Sequence, residues 1–292
     1  MSTSNNPLDS TIAFPLWDNE PIDGAFTLTT PNGLDTAVVS SVSRPWLFGY
    51  EPTLPSAHRR AILITGGGGY VELMVGREGI KVAKWLTSLG FYAFVLVHRF
   101  PHAQTGAQAP VDDARRALQI LRERGFAEQG VALCGLSSGG HLAASLLAGY
   151  PASWTPPRTV STAADSTVMV HIPFAIIGYA PISTNAVGRQ IIPNKPPLPP
   201  AEKQALYDAV QPDVQLLVPA PPTFIVYAGN DPVVPVVNAY RLAEGVGKAG
   251  GLVELHVFGD APHGFGVDTV GQPVERWTDL AEAWMRQGGF LG

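Results

Sequence analysis

The sequence predicts an α/β fold with a mostly parallel central sheet, helices on both faces and a small loop-rich cap. Three observations carry this reading. From Arg60 onward, short apolar runs alternate with segments of helical periodicity, the pattern of strands joined by crossover helices. The run 91–97 is apolar throughout, as a strand buried on both faces should be. The chain of 292 residues is 46% hydrophobic and 15% charged, enough apolar material for one large core and too little charge for a disordered chain. A single domain over residues 1–292 is expected.

Residues 1–59 form a β-prone segment rich in Pro, Ser and Thr, with short strand-like pieces at Phe26–Thr29, 36–42 and Trp46–Tyr50. Ala61–Thr65 is an apolar run that ends in four glycines, Gly66 to Gly69. A helix is expected over 79–89, where Val82, Ala83, Leu86 and Leu89 share one face. Gly90 stops it before the strand at 91–97. Asp112 and Asp113 are placed to cap and complement a helix running to about Arg124. A strand at 130–134 and a helix at 138–147 follow. Further strands fit 173–179, 223–227 and Val253–Phe258, and further helices fit 234–246 and 273–287. Two stretches break the rhythm. Residues 151–167 are polar, and 183–215 carries five prolines between Pro193 and Pro200, which no central strand or long helix accommodates. The second stretch reads equally as a surface excursion and as a cap over a site.

The formal charge is −5, and no basic cluster exceeds Arg59-Arg60 or Arg115-Arg116, which argues against nucleic acid as a partner. Cys134 is the single cysteine, so an internal disulfide and a cysteine-built zinc site are excluded. Residues 1–20 lack the cationic start and apolar run of a signal peptide, and no stretch approaches the roughly 20 apolar residues of a membrane span. The expectation is a cytoplasmic chain that uses no metal and no organic cofactor and has no membrane partner.

The chemistry concentrates after the strands. Gly135-Leu136-Ser137-Ser138-Gly139 lies between an apolar strand and a helix, the context that gives Gly-x-Ser-x-Gly its meaning. A serine there projects its hydroxyl from a sharp turn, and the N–H of Ser138 opens a helix that favours negative charge. A hydroxyl needs an adjacent base. Asp231 and His263 each follow a later strand, at the carboxyl edge where ligands bind in open α/β sheets. Asp260, three residues before His263, competes with Asp231 for the acid position. The glycines at 66–69 also follow a strand, and no Gly-Lys-Ser/Thr comes after them, so an oxyanion-binding loop fits better than a phosphate cradle.

Together these segments resemble the α/β-hydrolase superfamily, and within it the serine esterase branch of hormone-sensitive-lipase-like enzymes and bacterial acetyl-xylan or feruloyl esterases. The resemblance runs from about Arg60 to Phe265. It rests on GGGGY (66–70), GREG (76–79), FYAFVLVHRF (91–100), DDARRALQIL (112–121), CGLSSGGHLAASL (134–146), APPTFIVYAGNDPVVP (220–235) and ELHVFGDAPHGF (254–265). It implies Ser137 as nucleophile, His263 as general base and Asp231 as the residue orienting it. It also implies oxyanion donors at Gly68, Gly69 and Ser138. The lipase-like His-Gly-Gly-Gly is replaced here by Thr65 and four glycines, which leaves Gly67 open as a donor.

The activity so implied is hydrolysis of small carboxylic esters, with acetyl-type esters favoured because the 183–215 stretch offers no long apolar face. A peptidase or amidase on the same fold and a non-catalytic binding protein are the rivals. Tyr70 is expected to contact substrate, and Trp154 is a second candidate pocket wall. His141 is expected to pack behind Ser137, and His98 and His102 could line the site, with a structural or surface role favoured. His171 and His256 are read as core histidines, Cys134 as a small buried hydrophobe, and Glu78 as a helix cap.

Overall fold

The computed structural model describes residues 6–17, 21–53, 60–155 and 170–291. Apolar runs of four to six residues supply ten strands among them: β1 Ile12–Pro15, β2 Phe26–Thr29, β3 Val38–Val42, β4 Trp46–Tyr50, β5 Ala61–Thr65, β6 Tyr92–Val97, β7 Val131–Leu136, β8 Ala175–Gly178, β9 Thr223–Ala228 and β10 Val253–Phe258. Seven α-helices intervene: α1 Lys81–Ser88, α2 Ala109–Glu123, α3 Ser138–Leu146, α4 Ala201–Ala209, α5 Pro212–Gln215, α6 Val237–Lys248 and α7 Trp277–Gln287.

Eight strands form one sheet in the order β1-β4-β6-β5-β7-β8-β9-β10, and β2 and β3 pair separately. β1 and β4 run antiparallel to their neighbours, whereas every pairing from β6 through β10 is parallel. The central strands β5, β7, β8 and β9 are buried at every residue, which is why their sequences are apolar without alternation. The last strand, β10, lies at the sheet edge and is half-exposed.

The structure differs from the sequence reading at identifiable points. β1 went unforeseen: it is a four-residue edge strand ending in Pro15, where an N–H missing from the ladder costs nothing. A π-helical turn, Val75–Ile80, precedes α1, so the helical segment starts four residues before position 79. Helix α4 lies inside the proline-rich stretch, starting right after Pro200 and burying Leu206 and Tyr207. Most of the polar stretch 151–167 and Arg59 lie outside the described residues. His171 is exposed rather than in the core, and His256 on the edge strand pairs with Glu254 at 2.8 Å.

Asp112 and Asp113 are not caps. Helix α2 begins earlier, with Pro110 in its first turn, and both carboxylates turn inward. Asp113 receives the Arg99 backbone N–H and its guanidinium, with Nη2 at 2.7 Å, and the Trp17 indole N–H at 2.6 Å. One fully buried carboxylate thus ties the end of β6, helix α2 and the N-terminal segment together. Removing one partner of such a pair strands a buried charge. Asp113→Ala is expected to lower unfolding free energy by about 3 kcal/mol or more, read from the urea midpoint at constant m-value.

Candidate active site

The turn between β7 and α3 is built by glycine. Ser137 sits at φ 51°, ψ −128°, a left-handed conformation that a residue with a side chain holds only when its surroundings impose it. A Cβ on Gly139 would stand 2.0 Å from the Thr65 carbonyl oxygen, and one on Gly135 would stand 2.5 Å from the Gly139 carbonyl oxygen. Only bare backbone lets α3 approach β5 and turn this tightly. The Ser137 side chain is therefore presented at the C-terminal edge of the parallel strands.

Ser137 Oγ lies 2.9 Å from His263 Nε2, and His263 Nδ1 lies 2.7 Å from Asp231 Oδ2. The Asp231 side chain is fully buried, whereas that of His263 is 19% exposed. The second oxygen of Asp231 accepts the N–H groups of Val233 and Val234, both at 2.8 Å, so the carboxylate is fixed by its own turn. Asp260 faces elsewhere: it accepts from the Asn230 side chain, whose carbonyl oxygen accepts the Ala261 N–H. The three sequence-predicted residues Ser137, His263 and Asp231 are brought into one relay, and Asp260 supports the loop beside it.

The glycine loop lies against this relay. Gly68 and Gly69 have φ values of 134° and 65°, and a Cβ on Gly68 would lie 2.1 Å from the Glu72 carbonyl oxygen. The Gly67 N–H donates to Glu78 Oε2 at 2.6 Å and is thereby taken, so Gly67 is no oxyanion donor here. The Gly69 N–H donates to Ser138 Oγ at 2.9 Å, an acceptor that a rotation of the hydroxyl side chain would release. The N–H groups of Gly68 and Ser138 have no acceptor among the described residues.

Glu78 is the site residue that sequence reasoning misplaced. The π-helical turn points it inward, fully buried, and its other oxygen accepts from the Tyr179 hydroxyl at 3.1 Å. Tyr179, at φ 36°, packs its ring edge-on against His263 with centroids 5.3 Å apart and accepts the Gly266 N–H. Burial raises the Glu78 pKa against its two hydrogen bonds and the nearby His263 charge, which lower it. Glu78 and Tyr179 thus join the glycine loop to the loop that carries His263. A buried carboxyl adjoining a helical irregularity has no distinctive sequence pattern.

Behind Ser137, the His141 ring is buried between the Tyr70 hydroxyl, 2.9 Å from Nδ1, and the Val210 carbonyl, 3.0 Å from Nε2. Tyr207 of α4 packs on both rings. Tyr70 is 1% exposed and forms one wall of a 570 Å³ cavity also lined by Val71, Phe100, His102, Thr105 and Pro200. Trp154 packs against Tyr150 and does not line this cavity. His98 is buried, with Nδ1 2.8 Å from the Arg99 carbonyl oxygen. Cys134 is buried, and desolvation pushes its thiol up to about 12. Among the described residues no group of three or more His, Cys, Asp or Glu side chains is placed to hold a metal, and no helix is long and apolar enough to cross a membrane.

Residues 97–267 match a family described as the alpha/beta hydrolase fold. An acetylxylan esterase of Xylanibacter ruminicola is 28% identical over 236 residues, 75% of this chain and 43% of that protein, so the chain spans less than half the length of that relative. An acetyl ester-xyloside bifunctional hydrolase from Caldicellulosiruptor lactoaceticus superposes with a TM-score of 0.69 at 25% identity, covering 99% of this chain and all of that one. Esterase 2 of Thermogutta terrifontis, in its apo form, shares the fold with a TM-score of 0.67 at 21% identity, over 94% of this chain and 99% of that one.

Burial lowers the His141 pKa from 6.5 to about 4. The unfolded chain therefore binds a proton at this residue between those values while the folded chain does not, so the neutral ring's contribution is complete above pH 6.5 and is lost as pH falls toward 4. Unfolding free energy should fall by about 3 kcal/mol across that window, and His141→Gln should flatten that part of the profile. The comparison of urea midpoints at several pH values measures it.

Proposed function

Since the chain belongs to the alpha/beta hydrolase fold family, we propose that it hydrolyses carboxylic esters through an acyl-enzyme, with short acyl groups and acetylated carbohydrates as the substrate class. The observation that carries this reading is the relay Ser137 Oγ–His263 Nε2 and His263 Nδ1–Asp231 Oδ2, at 2.9 and 2.7 Å. In this mechanism His263 Nε2 takes the proton of the Ser137 hydroxyl as Oγ attacks the ester carbonyl. Asp231, acting as acceptor for Nδ1–H, keeps Nε2 free for that proton and stabilises the imidazolium that forms. The carbonyl oxygen becomes an oxyanion facing the N–H groups of Gly68 and Ser138, with Gly69 joining once Ser138 Oγ turns away. Each donor is worth about 3 kcal/mol in the transition state. The imidazolium then returns its proton to the departing alkoxide, and water repeats the sequence on the acyl-Ser137 ester.

The acyl preference rests on the cap and on the relatives. Leu206, Tyr207 and Val210 of the 183–215 stretch are buried in the body of the molecule and so cannot face a long acyl chain. The exposed apolar residues Val187, Ile192 and Val214 are separated from one another by polar residues and prolines rather than joined in one long face. The X. ruminicola and C. lactoaceticus proteins named above carry acetyl ester activities in their descriptions, which supports acetylated sugars as the alcohol side. A single domain is supported by the way strands from Ile12 to Phe258 share one sheet.

Ser137→Ala should reduce kcat at least 100-fold and abolish labelling by a fluorophosphonate probe while the circular dichroism spectrum stays unchanged. Retained labelling would move the nucleophile elsewhere. Asp231→Asn should cost far more in kcat than Asp260→Asn, and the reverse ranking would reassign the acid. Across nitrophenyl esters, kcat/KM is expected to peak at acetyl or butyryl. A steady rise toward decanoyl would replace the acetyl-ester reading with a lipase, and activity on anilides but not esters would replace it with an amidase.

A further inference from the structure

The chain has five lysines, and three of them pair with carboxylates: Lys81 with Asp268, Lys84 with Asp35 and Lys248 with Glu244. Lys195 and Lys203 make no ion pair and no ammonium hydrogen bond among the described residues. Both belong to the proline-rich stretch, and both are half-buried. Lys203 Nζ stands 3.7 Å from where a Cβ on Gly69 of the glycine loop would be. Gly69 in turn donates to Ser138 Oγ, one residue from the relay serine.

This placement is unfavourable to the fold on three counts. Lys203 lies in the first turn of α4, where the helix dipole disfavours a cation. The two ammonium groups repel each other, and burial of both adds a desolvation cost; each effect lowers the Lys203 pKa, with burial the larger. Glu72 packs its Cγ toward Gly68 yet forms no ion pair with either lysine. The restricted backbone between Pro193 and Pro200 holds Lys195, and α4 holds Lys203, so ordering their backbones costs little at binding. Pro200, whose carbonyl accepts the Lys203 N–H, also lines the 570 Å³ cavity beside Tyr70.

We propose that Lys203 and Lys195 form a carboxylate-binding subsite at the rim of the glycine loop, so that the esters preferred by this chain carry a carboxylate near the scissile bond. The inference rests on the ester-hydrolase reading above and specifies its substrate class. An incoming carboxylate supplies the counter-charge that the fold withholds from both lysines. The ionised group sits either on the acyl side, as in a hemiester of a dicarboxylic acid, or on the alcohol side, as in an O-acetylated acidic sugar.

Two matched substrate pairs distinguish those sides: 4-nitrophenyl hemisuccinate against 4-nitrophenyl butyrate, and 4-acetoxybenzoate against its methyl ester. For one pair, the anionic-to-neutral ratio of kcat/KM should be high in the wild type. It should fall about tenfold in Lys203→Met and less in Lys195→Met, as expected for one charge-assisted contact, and should survive in Lys203→Arg. Equal losses on the anionic and neutral members would mean that Lys203 acts on the oxyanion, and unchanged kcat/KM on both members would mean that it does nothing; either overturns the subsite. Calorimetric titration of the wild type with succinate provides a readout independent of turnover. Succinate binding that Lys203→Met removes, in a protein hydrolysing none of the four esters, would overturn the esterase reading and leave the subsite standing. Absence of both hydrolysis and succinate binding would overturn both.

Discussion

The approach of α3 to the end of β5 governs the geometry of this molecule. At Gly139 the helix backbone comes so near the carbonyl oxygens of Thr65 and Gly66 that a methyl group could not be inserted. That contact fixes where Ser137 stands, and because the glycine loop continues directly from Thr65, it also fixes where the loop lies. The left-handed backbone of Ser137 is the local cost of the arrangement. The parallel sheet supplies the rest of the positioning: β9 and β10 end beside one another in register, so the loops carrying Asp231 and His263 emerge together.

Around this contact the polar groups are layered by burial. The Asp231 side chain is fully enclosed and held by its own turn, Ser137 is buried, and His263 is the most open of the three. Beneath them Glu78 and Tyr179 form a second polar layer that reaches both the glycine loop and the backbone at Gly266. A protonated His263 would find two carboxylates within its field, one bonded to it and one behind it. Low dielectric strengthens such interactions and equally raises the cost of leaving any member unpaired, which accounts for the hydrogen bonds that both oxygens of Glu78 accept.

The features legible in the sequence are those with a local cause. Continuous apolar runs revealed the buried strands, and Gly-x-Ser-x-Gly revealed the turn because its glycines answer a steric demand within five residues. The loops bearing Asp231 and His263 were readable because each directly follows such a run. The features that escaped have causes distant in sequence. Asp113 looks like a helix cap, but its partners Trp17 and Arg99 come from other elements. Glu78 points inward because a π-helical turn rotates it, and no periodicity over so short a span shows that. Helix α4 was hidden by the prolines before it, although Pro200 is well suited to precede a helix. The significance of Lys203 emerges only once the fold brings it against Gly69.

The aromatic seal between the 183–215 stretch and the body has a consequence for how a ligand reaches the site. Tyr207 is wedged against Tyr70 and His141, the Val210 carbonyl meets the same imidazole, and Leu217 bonds back to Leu147. Lifting α4 as a hinged flap would expose that cluster to water and orphan a buried imidazole. The entrance is therefore a standing one, and an oil–water boundary has no closed gate to open. On the ester-hydrolase reading proposed above, turnover should track the concentration of dissolved ester, with no upward break where the ester begins to form micelles.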